Sequence, residues 1–557
     1  MNGLILIIVS MVVLVLAYLL YGRYLVRVWG IDPSKKTPAY EFEDGKNYVP
    51  TQPSVVFGHQ FASIAGAGPI NGPIIAAMFG WLPVFLWLLI GSIFFGAVHD
   101  FATMYASVKN DGKSIAYLIE IYVGKRGKLL FLLFMWCFSI LITAAFADIV
   151  SGTFAGFDPN GGTISANASV ASSSCLFICG AMCLGWLIRK VHVSGLASGI
   201  IAIDLLIVCI VLGLFFPIYL PGSFWLYIIF GYIFVSSIVP VWLLGQPRNY
   251  LNSFLLIAMI ISAFIGVAFT SPQITIPAFT GFEVNGNYLF PTLFITIACG
   301  AISGFHGMVS TAETSRQINN EKYILPISYG AMLIETLLAV LALISVGSLA
   351  LDGKLPLGTP PVIFATAVAR FLFKIGLPIN ISFTIVSLAI SAFVLTTLDT
   401  VTRLGRIAFQ EFFRPEDKSK KLSVRSFLSK SYVASACTLV SAYLLAIHGY
   451  QNIWPIFGAS NQLLAVLSLA GCAVFIKHTR KRGFMLLIPA VIMMAVTFTS
   501  LIFSIKNKIA MFLDGRFNMT IDGFQFIILI LLFILGIIVL ISCGEKLLKK
   551  IPDPVAM

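Results

Sequence analysis

Apolar runs of about 20 residues alternate with short polar stretches along most of the chain, and each run is long enough to cross a bilayer as a helix. About fifteen are present, near residues 3–24, 57–79, 82–108, 128–154, 171–188, 196–217, 223–243, 250–270, 290–312, 323–349, 379–402, 431–448, 454–476, 484–505 and 523–543. The polar stretches between them are too short to fold around cores of their own. The expected architecture is therefore an all-α polytopic membrane protein. Gly30 to Pro53 reads as a polar linker and Gly112 to Lys128 as a short amphipathic segment. Pro356 to Gly376 is semi-apolar but interrupted, and reads as an interfacial or re-entrant helix that could serve as an outer gate.

Composition supports this reading and excludes others. Of 557 residues, 59% are hydrophobic and only 11% charged, against about 25% charged in soluble domains. A net charge of +13 would suit a nucleic-acid binder, but the 36 Lys and Arg cluster in short loops beside apolar runs. With the N-terminus outside, 30 of the 36 fall on the inner side, and only Lys354, Arg370, Lys374, Lys506, Lys508 and Arg516 remain outside. That asymmetry predicts an outer N-terminus and a cytoplasmic C-terminus. The run Gly3 to Tyr21 lacks a basic leader and reads as a retained helix. Nine cysteines all lie in apolar runs, so no disulfide framework is expected. Cys175, Cys179 and Cys183 share a helix face and read as a packing stripe rather than a metal site. No Walker A pattern is present, and neither ATP hydrolysis nor another enzymatic activity is expected.

Breaks in membrane helices mark sites, because hydrocarbon does not tolerate unpaired backbone groups unless they face a cavity, an ion or a substrate. The clearest break lies in the second run, Gly58 to Pro73, with a glycine-rich centre and prolines placed to start a second half-helix. Its new N-terminus would attract a carboxylate. His59, Gly66, Gly68 and Asn71 are the substrate candidates there, and packing is the alternative role for the glycines. A second break is expected in the seventh run, at Val235 to Val241, with Ser236 and Ser237 opposite the first. Paired interruptions five helices apart point to a 5+5 inverted repeat with the site at the midplane. The ninth run, Cys299 to Thr314, is small, polar and glycine-spaced.

Six separated stretches carry a family resemblance: GHQFASIAGAGPINGP at 58–73, HDF at 99–101, GQPRNYLN at 245–252, FITIACGAISGFHGMVS at 294–310, TTLDTVTRLGR at 396–406 and WPIFGASNQLLA at 454–465. Together they resemble the carbon starvation protein A (CstA) family over about residues 50 to 480. The resemblance implies a bacterial inner-membrane importer with a LeuT-like core, associated with uptake of peptides or pyruvate under carbon limitation. In a LeuT-like core the ninth run would be the eighth core helix and complete a cation site. Its Ser310 and Thr311 would then act with Ser63 and Ala65 of the broken helix, and hydroxyls and freed carbonyls suit sodium. A proton is the alternative coupling ion. The chain departs from the family pattern at His99, where Gln is usual, and after Val309, where Glu313 is an added acid.

Ionisable groups inside the membrane are costly and therefore candidates. His99, Asp100, Asp148 and Glu313 are the proton-coupling candidates; Asp204, Glu335 and Asp399 complete the acids, with His306 a third intramembrane histidine. Asp399 can pair with Arg403 or Arg406 on its own helix, and Asp100 can bind Arg248 or a loop as an inner gate. No zinc-type histidine spacing is present.

The chain divides into an N-terminal helix and linker over 1–56, a transport core over 57–405, and a basic loop with accessory helices over 406–557. The expected function is secondary symport of a small carboxylate-bearing nutrient, pyruvate first and short peptides second, with lipids and the substrate as partners and no nucleic acid. A nutrient-sensing receptor that binds without transport is the alternative.

Overall fold

The computed structural model describes residues 1–44, 48–122, 124–158, 161–191, 195–239, 245–414, 424–519 and 522–549. Every apolar run identified above lies on a helix. We label these α1 (Gly3–Trp29), α2 (Pro53–Ile64), α3 (Gly68–Phe79), α4 (Trp81–Val108), α5 (Ile115–Tyr122), α6 (Lys125–Phe154), α7 (Ser165–Val191), α8 (Gly195–Phe215), α9 (Gly222–Ile238) and α10 (Gly245–Thr270). There follow α11 (Leu289–Thr296), α12 (Ala298–Ala301), α13 (Gly304–Ala312), α14 (Glu321–Leu349), α15 (Pro360–Phe373), α16 (Ile379–Phe412), α17 (Ser431–Ala446), α18 (Tyr450–His478), α19 (Phe484–Leu513) and α20 (Asp522–Leu548).

Among the described residues, nine helices are long and apolar enough to cross a membrane, or ten if the bent pair α2–α3 counts as one span. The remaining apolar runs form shorter helices, such as α9 and α17, or are cut into pieces, as over α11 to α13. Length and apolarity alone therefore do not reach the fifteen spans counted in the sequence. The chain is a multi-pass membrane protein.

α6 and α16 pack along each other at the centre, and the apolar middle of α18 is wholly enclosed by its neighbours. The sequence explains this for α18: Ser460, Asn461, Gln462 and Ser468 are all buried in protein, where polar groups find partners that lipid does not offer. In contrast, α1 exposes Ile8, Val12, Val15 and Leu16, side chains that lipid solvates well. The segment expected to be interfacial or re-entrant, α15, is a short apolar helix that buries Phe364, Val368 and Phe371 against α10, α14 and α16. It is packed into the bundle on most of its circumference, with only Val362, Thr366, Arg370 and Phe373 left on its outer side.

At the end richest in basic residues, α1 and the loops are stitched together. Lys109 pairs with Glu321 at 2.6 Å, and Glu321 also accepts from the Asp32 N–H at 2.9 Å. The Tyr105 hydroxyl donates to the Trp29 carbonyl at 2.7 Å, and Lys481 donates to the Tyr105 hydroxyl at 2.7 Å. Burial holds the Lys481 ammonium below the usual lysine range. At the opposite end Asp148 accepts from the Tyr450 N–H at 2.7 Å and caps α18. Asp148→Ala is expected to cost about 1.5–3 kcal/mol, the value of a hydrogen bond to a charged group, read as a lower thermal unfolding midpoint in detergent.

Candidate functional site

The first expected break is present. α2 ends at Ile64, Ala65 leaves helical geometry, and α3 restarts at Gly68 after a bend of 43°. The Pro69 ring suits the first turn of the new half-helix, where its missing N–H would have had no partner. Glycine is required at two positions by close approach. A Cβ on Gly66 would lie 2.9 Å from the Thr397 hydroxyl, and one on Gly68 would lie 2.2 Å from the Cβ of Cys299.

The second interruption lies in the ninth run. Ile302 and Ser303 are extended, with φ of −156° and −131°, between α12 and α13. The freed backbone groups are met by side chains. Ser92 of α4 donates to the Gly300 carbonyl at 3.1 Å, and Asn461 of α18 accepts from the Phe305 N–H at 3.1 Å. Asn461 also donates to the Ser303 hydroxyl at 3.1 Å and contacts the Cys299 sulfur at 3.3 Å. Gly68, Cys299, Asn461 and Ser303 thus link the two breaks. Around them stand Phe146 and Trp454, stacked with ring centroids 6.4 Å apart. The amide of Asn71 and the hydroxyl of Thr397 are buried without a hydrogen-bond partner among the described residues. These are donors and acceptors available to a ligand.

The expected break in the seventh run lies partly outside the described residues. α9 continues as helix through Ser236 and Ser237 to Ile238, and residues 240–244 lie outside the described residues. The two serines sit at a helix end packed on α16 and α17. The Ser237 hydroxyl donates to Ser435 at 2.9 Å, while Arg403 and Arg406 donate to the Ser236 and Ser237 carbonyls. These serines belong to a helix C-terminus capped by arginines, which removes both arginines from Asp399.

Asp399 pairs instead with Arg248 of α10, and the Tyr232 hydroxyl donates to Asp399 at 3.1 Å. Both ionic partners are buried. Arg248 is therefore not the partner of Asp100. Asp399→Asn would leave a buried guanidinium without its counter-ion. The expected cost is about 3–5 kcal/mol, read as a lower unfolding midpoint, with Arg248→Met/Asp399→Leu recovering most of it.

Asp100 has two histidines. His99 Nδ1 lies 2.9 Å from Asp100 Oδ1, His306 Nδ1 lies 3.0 Å from Asp100 Oδ2, and His306 Nε2 lies 3.4 Å from Glu335 Oε2. All four side chains are at most 1% exposed. They come from α4, α13 and α14, so the cluster ties the second half-helix to two spans. Gly307 permits it, since a Cβ there would lie 2.9 Å from the His99 ring. At its ends, His99 Nε2 and the Glu335 carboxylate have no hydrogen-bond partner among the described residues.

The remaining candidates lie nearer the basic end of the bundle. His59 Nε2 is 3.3 Å from Glu313, and both are partly exposed. Gln60 donates to the Ser310 hydroxyl at 2.9 Å and accepts from Thr314 at 2.6 Å, clasping α2 to α13. The Ser63 hydroxyl donates to the His59 carbonyl at 2.8 Å, and the Thr311 hydroxyl to the Gly307 carbonyl at 2.8 Å. Asp204 is exposed on α8, away from these groups. Gln60, Cys299 and Asn461 had no predicted role, although the polar pair at 461–462 inside an apolar run was a visible signal.

Comparison with known proteins adds a lineage to this geometry. Residues 2–358 and 355–500 match the family model described as Carbon starvation protein CstA. The chain is 32% identical to the Peptide transporter CstA of Bacillus subtilis (strain 168), covering 100% of this chain and 98% of that one. It is 31% identical to the Peptide transporter CstA of Escherichia coli (strain K12), over 90% of this chain and 80% of that one. The Pyruvate/proton symporter BtsT of the same strain is 30% identical, over 88% and 80%. Among solved structures, a mutant manganese transporter of Eremococcus coleocola aligns over 88% of this chain and 94% of its own, with TM-score 0.50 and 13% identity. That likeness is one of fold.

Proposed function

The chain belongs to the carbon starvation protein CstA family, and from that premise we propose that it is a proton-coupled importer of a small carboxylate-bearing nutrient, pyruvate or a short peptide, in the bacterial inner membrane. The observation that carries the coupling is the buried His99–Asp100–His306–Glu335 cluster. Two carboxylates and two imidazoles in contact can gain or lose one proton between them, and imidazole does so near neutral pH. Each change alters the net charge buried beside α13, and an uncompensated charge in a low-dielectric site is expensive. Protonation can therefore bias the position of the half-helix that forms one wall of the site.

Sodium is the second reading: the Ser63 and Thr311 hydroxyls donate to carbonyls of their own helices and keep oxygen lone pairs for a cation, and it is the buried cluster that favours the proton. The substrate carboxylate would sit between the breaks, against the start of α3, with Asn71 and Thr397 as donors. In this reading α2–α3 and α11–α13 are the two interrupted spans that form the site; they lie seven apolar runs apart, not the five of the repeat pairing expected from the sequence. Helices α1, α19 and α20 are additions to that core. Import under carbon limitation, with the N-terminus outside, completes the proposal.

The test is uptake of labelled pyruvate and labelled alanyl-alanine into proteoliposomes of the full chain under an imposed pH gradient or an imposed sodium gradient. Accumulation of either under the pH gradient alone is expected. Accumulation that needs sodium, or binding with no accumulation, would contradict the proposal.

A further inference from the structure

A cavity of about 430 Å³ opens between α18, α19 and α20 at the end of the bundle opposite the basic loops. Its volume falls within the range of about 300–1,000 Å³ common for small-molecule sites. The lining is rich in carboxamides: Gln451 and Asn452 from α18, Asn507 from α19 and Gln525 from α20. Gln525 is 1% exposed, and neither its Nε2 nor its Oε1 has a hydrogen-bond partner among the described residues. Beside it Lys508 and Asp522 form an ion pair, and Asp522 also accepts from the Asn518 N–H at 2.9 Å.

A buried amide with both ends unpaired is costly unless water or a ligand supplies one donor and one acceptor. A peptide bond offers that combination. Pyruvate offers acceptors only and would leave Gln525 Oε1 unsatisfied. The Lys508–Asp522 pair makes the charged wall neutral overall, which matches a zwitterion better than a free anion. We infer that this cavity is an outer binding site for a zwitterion bearing a backbone-type amide, the class of a short peptide. The inference rests on the reading of the chain as a carrier of small carboxylates. It places a recognition step on the face of α18 formed by Gln451, Asn452, Pro455 and Ile456.

The test uses the full chain in liposomes with Met511→Cys, a lining position that contributes no amide, as reporter for a membrane-impermeant maleimide. Labelling of the chain without this substitution is subtracted. Alanyl-alanine is expected to slow labelling and pyruvate is not. Adding Gln525→Leu is expected to weaken the protection about tenfold, the effect of losing one buried hydrogen-bonding group. If Gln525→Leu fails to fold, Asn507→Leu at an exposed lining position replaces it, with a smaller but measurable weakening expected. No protection, equal protection by pyruvate, or protection unchanged by the leucine substitution would overturn the site. In an Asp100→Asn background, protection that persists while accumulation is lost supports a separate outer site. Protection lost together with accumulation overturns it.

Discussion

Asp100→Asn is expected to abolish proton-driven accumulation while leaving the fold and the exchange of substrate across the membrane intact. Carried down one pH unit, one proton supplies about 1.4 kcal/mol, enough for a tenfold concentration ratio of substrate. With the native chain that ratio should approach about ten, and with the Asp100→Asn variant it should fall to unity. The reason is local. Among the described residues, Asp100 is the group in contact with both His99 and His306, at 2.9 and 3.0 Å, so its replacement divides the cluster. Asn keeps the shape and one acceptor, which preserves packing. Counterflow exchange of labelled for unlabelled substrate is the control. Full accumulation by Asp100→Asn would remove the cluster from the coupling path.

Gly68→Val has the second large effect. The new Cβ would occupy space 2.2 Å from Cys299 Cβ and 2.5 Å from its sulfur, so the two half-helices must separate. Overpacking of this kind costs about 1–3 kcal/mol or more, and the separation also displaces Asn461 and Ser303, which depend on the same contact. Uptake should be lost although the protein still inserts in the membrane. The pair Gly68→Ala/Cys299→Gly moves the carbon atom across the contact and should restore a substantial part of both stability and uptake. Loss without rescue would mean that Gly68 serves through its backbone alone.

How much of this was legible in the chain varies with the kind of feature. The α2–α3 break could be read directly, since Gly66, Gly68, Pro69 and Pro73 crowd one apolar run and each has a backbone reason to end or restart a helix. The break at Ile302–Ser303 was hidden, because neither residue disrupts a helix by itself. Tertiary contacts from Ser92 and Asn461 satisfy the opened backbone, and those partners are distant in sequence. The ionisable residues were all visible, but their partners were not. The sequence suggested Asp399 with Arg403 and Asp100 with Arg248, whereas the fold joins Asp399 to Arg248 and Asp100 to the histidines. Helical periodicity reports neighbours on one helix, and the decisive pairs form between helices.

The central claim, that protons move with the substrate through the buried cluster, is tested most directly by sealing a fluorescent pH indicator inside proteoliposomes with no imposed gradient and adding pyruvate or alanyl-alanine outside in sodium-free buffer. The account predicts that one of the two acidifies the lumen with the native chain, in step with uptake of the labelled compound, and that Asp100→Asn gives no acidification. Uptake of either substrate with no change in luminal pH would contradict it.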